Sequence, residues 1–313
     1  MSYLLGAIGV ALPLLAALPG IGEFRRRKLD DIRRLEAPGQ FVRLSQGETH
    51  YTLLGPEEGE LVVCIHGLTA PSVVFKALAG HLGARGKRVL IYDLYGRGYS
   101  DRPHALQTPG FFARQLDELL GALKLRGPVA LLGYSMGATV AVHFAADMPD
   151  RVSRLVLLAP AGIESELSPI VDWTAQHRGV GDWLFHMVFP KAHRQNVFES
   201  SDSRSEVPEI DRLHLAELER RGYVRSVLSS LRGCLQAPQE AEHRRIARLG
   251  LPVLAIWGGQ DRMVRAGTME QLSSWNPDAE QRLIEDAWHG IPHTHATEVA
   301  RMICSDEGLR SFA

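Results

Sequence analysis

The chain holds only three cysteines in 313 residues, Cys64, Cys234 and Cys304, far apart and without a CxxC pair. An odd and scattered set builds neither a disulfide framework nor a zinc knuckle, and it reads as a chain kept reduced. An excess of either charge is also missing: 35 Lys and Arg face 36 Asp and Glu, for a formal net charge of −1. Without a basic balance, no nucleic-acid partner is expected. No internal repeat or low-complexity tract interrupts the sequence. What is present is a hydrophobic content of 45%, enough for a substantial core in one large α/β domain or in two smaller domains.

One long apolar run stands at the N-terminus. Tyr3 to Ile21, "YLLGAIGVALPLLAALPGI", carries no charge, and "RRRK" follows at 25–28. Roughly 20 apolar residues span a bilayer. A cleaved signal peptide carries its positive charge before the apolar stretch, whereas here it comes after. By the positive-inside rule, the main domain is then expected on the cytoplasmic side of a membrane contacted through residues 3–21. The alternatives are a soluble cytoplasmic protein with this helix docked on itself, or a homodimer built through the helix. Pro13 and Pro19 would kink it.

Beyond a polar connector, short apolar runs alternate with helical patterns. "FVRLS" and "HYTLL" form a hairpin through Gln46 and Gly47. "LVVCI" (61–65), "VLIY" (89–92), "VALLGY" (129–134), "LVLLA" (155–159) and "VLAIW" (253–257) are almost unbroken, as parallel strands covered on both faces are. Helical spacing appears at Phe75, Leu78, Ala79 and Leu82, and again at Phe112, Leu116, Leu119, Leu120 and Leu123. The alternation predicts an α/β fold with an open, mostly parallel central sheet flanked by helices. The rhythm breaks over 164–248, which reads as a helical cap above the carboxyl edge of the sheet, or as a separate helical domain. The expected layout is an anchor helix over 1–24, a connector over 25–40, a core over 41–163 and 249–313, and the cap between.

"GYSMG" (133–137) sits where an apolar strand gives way to a helix. So sharp a turn needs small residues beside the serine, and the helix start points partial positive charge at it. Ser135 is therefore the candidate nucleophile; the plain alternative is a strand-to-helix turn with a capping serine. A serine needs a base, and the base needs an orienting acid. "AWHGIPHTH" after the apolar "RLI" offers His289, His293 and His295, of which His289 comes first and stands in the turn. For the acid, Asp261 in "GGQD" ends a strand, Glu164 is the competitor, and Asp286 is too close in sequence to His289 to fold back onto it. The backbone N–H groups of Leu68, in "HGL", and Met136 are placed to meet an oxyanion. His66 is expected to brace that turn. Trp183 and Phe185, in the aromatic cap segment "DWLFHMVF", are candidate substrate contacts.

These motifs, with "YDLYGRGYSD" (92–101), resemble the α/β-hydrolase superfamily in the order nucleophile, acid, histidine, over nearly all of the chain from Phe41 onward. The resemblance implies an eight-stranded sheet, a lid in the middle insertion and a hydrolase with no cofactor and no metal. It also implies that Asp93, Arg97 and Ser100 serve the structure. Ser135 at the elbow disfavours the members that use an aspartate nucleophile, the epoxide hydrolases and haloalkane dehalogenases. Within the superfamily the chain looks like monoacylglycerol lipases and carboxylesterases, so cleavage of carboxylic esters, among them lipid-like ones, is expected. "SMG" is also similar to the meta-cleavage-product hydrolases, which break a carbon–carbon bond beside a ketone. Those enzymes typically carry tryptophan after the histidine, where Gly290 stands here. A non-catalytic binding module on the same scaffold is the remaining alternative.

Overall fold

A computed structural model describes residues 15–164, 168–202, 204–265 and 267–305. Eight strands form one sheet: β1 (Gln40–Leu44), β2 (Gly47–Leu54), β3 (Leu61–Ile65), β4 (Arg88–Tyr92), β5 (Val129–Tyr134), β6 (Val152–Leu158), β7 (Val253–Gly258) and β8 (Glu280–Ile284). Their spatial order is β1-β2-β4-β3-β5-β6-β7-β8. The β1–β2 and β2–β4 pairs are antiparallel, and the pairs from β4–β3 to β7–β8 are parallel.

The unbroken apolar runs follow from burial on both faces. Val63, Ile65, Leu131, Leu155, Leu157 and Trp257 join one core cluster, while Val62, Cys64, Ala130, Leu132, Val156 and Ile256 join the other. Side chains alternate across a strand, so only a sheet covered twice needs apolar residues at every position. The cover comes from α3 (Lys76–Gly83) and α13 (Ala296–Cys304) on one face, and from α4 (Pro109–Ala122), α5 (Met136–Asp147) and α11 (Thr268–Trp275) on the other. At the start of α4, the Thr108 side chain accepts from the Phe111 N–H at 3.1 Å and Pro109 takes the first helical position.

Two stretches near the N-terminus differ from a simple anchor and connector. Residues 15–25 are helical (α1), and Trp183 Nε1 donates to the Leu15 carbonyl at 2.8 Å, so this helix rests on the cap. Among the described residues no helix is long and apolar enough to cross a membrane, and the earlier part of the apolar run lies outside them. The connector contains a helix, α2 (Leu29–Glu36), whose Ile32 is buried. Its Arg33 pairs with Glu48 and, at 2.6 Å, with Asp101.

The insertion between β6 and β7 is helical: α6 (Pro169–Gln176), α7 (Val180–Glu199), α8 (Ile210–Ala216), α9 (Tyr223–Cys234) and α10 (Glu240–Arg248). It has a small core of its own, with Phe185, Tyr223, Val227 and Leu231 buried together. The last helix, α10, belongs to the sheet layers instead, because Ile246 is buried in the core cluster beneath α5.

Candidate active site

Strand β5 delivers Ser135 to the carboxyl edge of the sheet, and α5 begins at the next residue. Ser135 has φ +51° and ψ −122°, a backbone state that costs on the order of 1–3 kcal/mol and persists only where its surroundings enforce it. Its N–H donates to the Leu158 carbonyl at 3.0 Å, and its carbonyl accepts from Ala138 at 2.9 Å and Ala161 at 3.2 Å. The flanking glycines are required by contact: a Cβ at Gly133 would lie 2.6 Å from the Ala138 Cα, and one at Gly137 would overlap the Ile65 carbonyl.

Asp261 stands in the turn after β7, and His289 in the loop after β8. The two turns are stitched together, with the Gly259 N–H donating to Ile284 at 2.8 Å and the Gln260 N–H to Ala287 at 2.9 Å. Asp261 Oδ1 accepts from the Met263 and Val264 N–H groups at 2.8 and 3.0 Å, which turns Oδ2 toward His289 Nδ1, 2.7 Å away. A carboxylate only accepts, so Nδ1 carries the proton and Nε2 keeps its lone pair. That Nε2 lies 3.0 Å from Ser135 Oγ. The Tyr134 ring flanks the imidazole, with centroids 5.2 Å apart. The arrangement can pass a proton from the hydroxyl to the imidazole and hold the resulting imidazolium beside a buried carboxylate.

The competing residues are placed elsewhere. Asp286 pairs with Arg204 at 2.6 Å and with His295 at 3.5 Å. His293 is buried with Nδ1 3.1 Å from Ser205 Oγ, and burial pushes it down to about 4. Glu164 borders the cavity at Ser135 without taking the acid's place beside His289.

The loop after β3 crosses in front of the serine: a Cβ on Gly67 would come 3.3 Å from the Ser135 Cβ. His66 Nδ1–H donates to the Gly67 carbonyl at 2.9 Å, and its Nε2 accepts from the Leu94 N–H at 2.9 Å. Burial lowers His66 to about 4, so it stays neutral and fixes the loop. The Leu68 carbonyl is held by Arg97 Nε at 2.8 Å, and the same guanidinium reaches Gln107 at 2.6 Å and Ser230 of the cap at 2.9 Å. Arg97 thus ties the loop to the cap, a connection that "YGRG" did not reveal by spacing. Asp93 accepts from His50, from Ser72 N–H at 2.8 Å and from Tyr99 N–H at 2.9 Å. Ser100 Oγ donates to the Asp93 carbonyl at 2.6 Å. On the other side of the serine, Met136 opens α5, so its N–H has no partner within the helix.

A cavity of about 230 Å³ opens at Ser135 and His289, walled mainly by Leu68, Leu235, Met263 and Val264. Trp183 and Phe185 do not line it. Trp183 lies against α1, and Phe185 is buried in the cap core, stacked on Phe189 with centroids 4.7 Å apart. On α7 it is every fourth residue that faces inward, Phe185, His193 and Val197 being buried, and Trp183 falls off that stripe. Cap residues 204–206 reach back over the His289 loop: the Glu206 N–H donates to the His293 carbonyl at 2.7 Å, and the Glu206 carboxylate meets His81 at 2.6 Å and Thr297 N–H at 3.2 Å.

A family model described as the alpha/beta hydrolase fold matches residues 60–296. The chain belongs to the α/β-hydrolase fold family. Among relatives within this family is a Pseudomonas putida 2-hydroxy-6-oxononadienedioate/2-hydroxy-6-oxononatrienedioate hydrolase, 29% identical over 280 residues, 84% of this chain and 94% of the relative. An uncharacterised Mycobacterium tuberculosis protein is 29% identical over 145 residues, 46% of this chain. There the chain spans only 41% of the relative's length. Of solved α/β-hydrolase-like structures, a bacterial membrane phospholipase A superposes with a TM-score of 0.70 at 22% identity, covering 96% of each chain. At that identity the likeness concerns the fold.

Proposed function

We propose that the protein is a serine hydrolase that cleaves carboxylic esters through an acyl-enzyme on Ser135. The observation that carries the reading is the continuous relay from Asp261 to His289 to Ser135, at 2.7 and 3.0 Å, ending on a strained strand-to-helix turn. In this mechanism His289 takes the Ser135 proton as Oγ attacks the ester carbonyl. The Leu68 and Met136 N–H groups receive the oxyanion, each such donor contributing about 3 kcal/mol to the transition state. His289 then protonates the leaving alcohol, and water, activated by the same imidazole, releases the acid. A fluorophosphonate probe should label the wild-type chain at Ser135 and fail to label Ser135→Ala. Labelling of the variant would refute the assignment, and an unlabelled wild type would favour a non-catalytic binding module.

The apolar cavity walls suit acyl chains, and medium-chain lipid-like esters such as monoacylglycerols or lysophospholipids are the proposed substrates. A membrane surface is the proposed partner, since α1 leaves Leu15, Leu18, Ile21 and Phe24 exposed, and the basic run 25–28 follows. Deleting residues 1–24 should shift the protein from the membrane to the aqueous fraction, with oligomeric state measured on the same samples. Identical fractionation of the two forms would remove the membrane from the reading.

Carbon–carbon hydrolysis is the second reading, favoured by the near-full-length match to the Pseudomonas putida hydrolase. Against it stands Gly290, at the place where the meta-cleavage-product hydrolases carry tryptophan. A Cβ there would lie 2.7 Å from His293 Nε2, so a large side chain would have to displace a buried histidine. A vinylogous diketone assayed beside p-nitrophenyl esters separates the two chemistries; preferential turnover of the diketone would reverse their order.

A further inference from the structure

Two charged side chains border the cavity outside the relay. Glu164 follows β6, and Arg262 follows Asp261 directly. Both are exposed, and among the described residues neither forms an ion pair or hydrogen bond with another side chain. Two arginines elsewhere around the site are engaged instead: Arg204 is held by Asp202 and Asp286, and Arg97 by Gln107 and Ser230. Arg262 lies with its guanidinium carbon 4.9 Å from the centre of the Trp288 ring, next to His289. A guanidinium resting on an indole is fixed in direction while its N–H edge stays open to an oxyanion.

We propose that Arg262 and Glu164 read the head group of the substrate, selecting esters whose alcohol carries both a phosphate and an amine. This rests on the ester-hydrolase reading given above. In a lipid ester the acyl part is hydrocarbon and matches Leu68, Leu235, Met263 and Val264. Charge therefore resides on the alcohol, and the two charged rim residues are the groups that can sense it. A neutral glyceride gains from neither. A purely anionic head group is drawn by Arg262 and repelled by Glu164. A zwitterion places phosphate oxygens on the guanidinium and the ammonium on the carboxylate, so both charges act in its favour. Exposed charge pairs are individually weak, so the expected discrimination is about five- to tenfold.

The experiment compares kcat/KM for four lauroyl esters below their micellar concentrations: monolauroylglycerol, and lysophosphatidic acid, lysophosphatidylglycerol and lysophosphatidylethanolamine with the same chain. Wild type should favour lysophosphatidylethanolamine about five- to tenfold over the other three. Arg262→Gln should abolish its advantage over monolauroylglycerol, and Arg262→Lys should restore part of it. Glu164→Gln should bring lysophosphatidylglycerol level with lysophosphatidylethanolamine. The readout is a ratio between substrates measured on one preparation, so a general loss of activity cancels. A flat wild-type series, or variants that leave the ratios unchanged, overturns the proposal. If p-nitrophenyl butyrate is still turned over in that case, the head-group assignment falls alone. If no ester is turned over, the hydrolase assignment falls with it.

Discussion

Replacing His289 with alanine is expected to lower kcat for p-nitrophenyl butyrate by about a million-fold, with KM little changed. The imidazole is the group within reach of the Ser135 hydroxyl that can accept its proton, at 3.0 Å. Without it, attack would have to proceed from a neutral alcohol, and the water that releases the acyl group would have no base to activate it. The Leu68 and Met136 amides are untouched by this substitution, which leaves a residual rate above that in water. Asp261→Asn should cost less, about ten-thousand-fold. An amide can donate to Nδ1 and so stabilise the tautomer with its proton on Nε2, facing the serine the wrong way. In the proposed mechanism Ser135 and His289 act as a unit, so Ser135→Ala combined with His289→Ala should be no slower than either alone. Steady-state rates of the four variants check this. Full activity in His289→Ala would place the base elsewhere, with His293 the neighbour to examine.

The second large effect is on stability in acid. His66, His193, His243 and His293 are each lowered to about 4, and His214 to about 3, in every case first by burial. A folded-state value below the unfolded one means that the unfolded chain takes up protons first as pH falls. These histidines therefore support the fold fully above the unfolded value near 6.5, and that support is lost between about 6.5 and 4. The carboxylates of Asp182, Asp202 and Glu206, held below their usual range despite partial burial by partners that include Arg232, Arg204 and His81, keep their contribution through that interval and lose it only at lower pH, as it falls below the ordinary carboxylate values. His50 opposes the trend, because its hydrogen bond to Asp93 raises it despite burial. One histidine lowered this far corresponds to about 3 kcal/mol, and for a chain of this size that alone moves Tm by roughly 5 °C. Thermal unfolding followed at pH 7 and pH 4.5 should show a fall of at least that size. A Tm that stays level or rises would contradict it.

Much of the core was legible because its physics repeats along the chain. A sheet buried on both faces writes itself as continuous apolar runs, and the runs at 61–65 and 129–134 coincide with β3 and β5. The meeting of Ser135, Asp261 and His289 could be anticipated because each stands just beyond a strand, and parallel strands bring such ends to one edge. Helix α2 was hidden because its apolar spacing, Leu29, Ile32 and Leu35, spans only eight residues crowded with charge, and so reads as a polar connector. The cap misled for the opposite reason. "DWLFHMVF" is apolar on several sides of the helix, so composition alone could not tell Phe185, which faces the cap core, from Trp183, which faces α1. Arg262 carries a charge with no pattern around it, and only the cavity it borders gives it meaning; Arg97 stands in a motif expected to serve the structure, but the loop and cap it joins were not legible there.

The clasp made by residues 204–206 also sets which way the insertion can travel. It grips the segment 286–297 on both sides of His289, through Arg204 on Asp286 and Glu206 on the His293 carbonyl and Thr297. Lifting the roof at that margin would strip neighbouring supports from the imidazole at the same stroke. A bulky molecule admitted with the proton relay left undisturbed is therefore expected to enter by the far margin, where α7 meets α1.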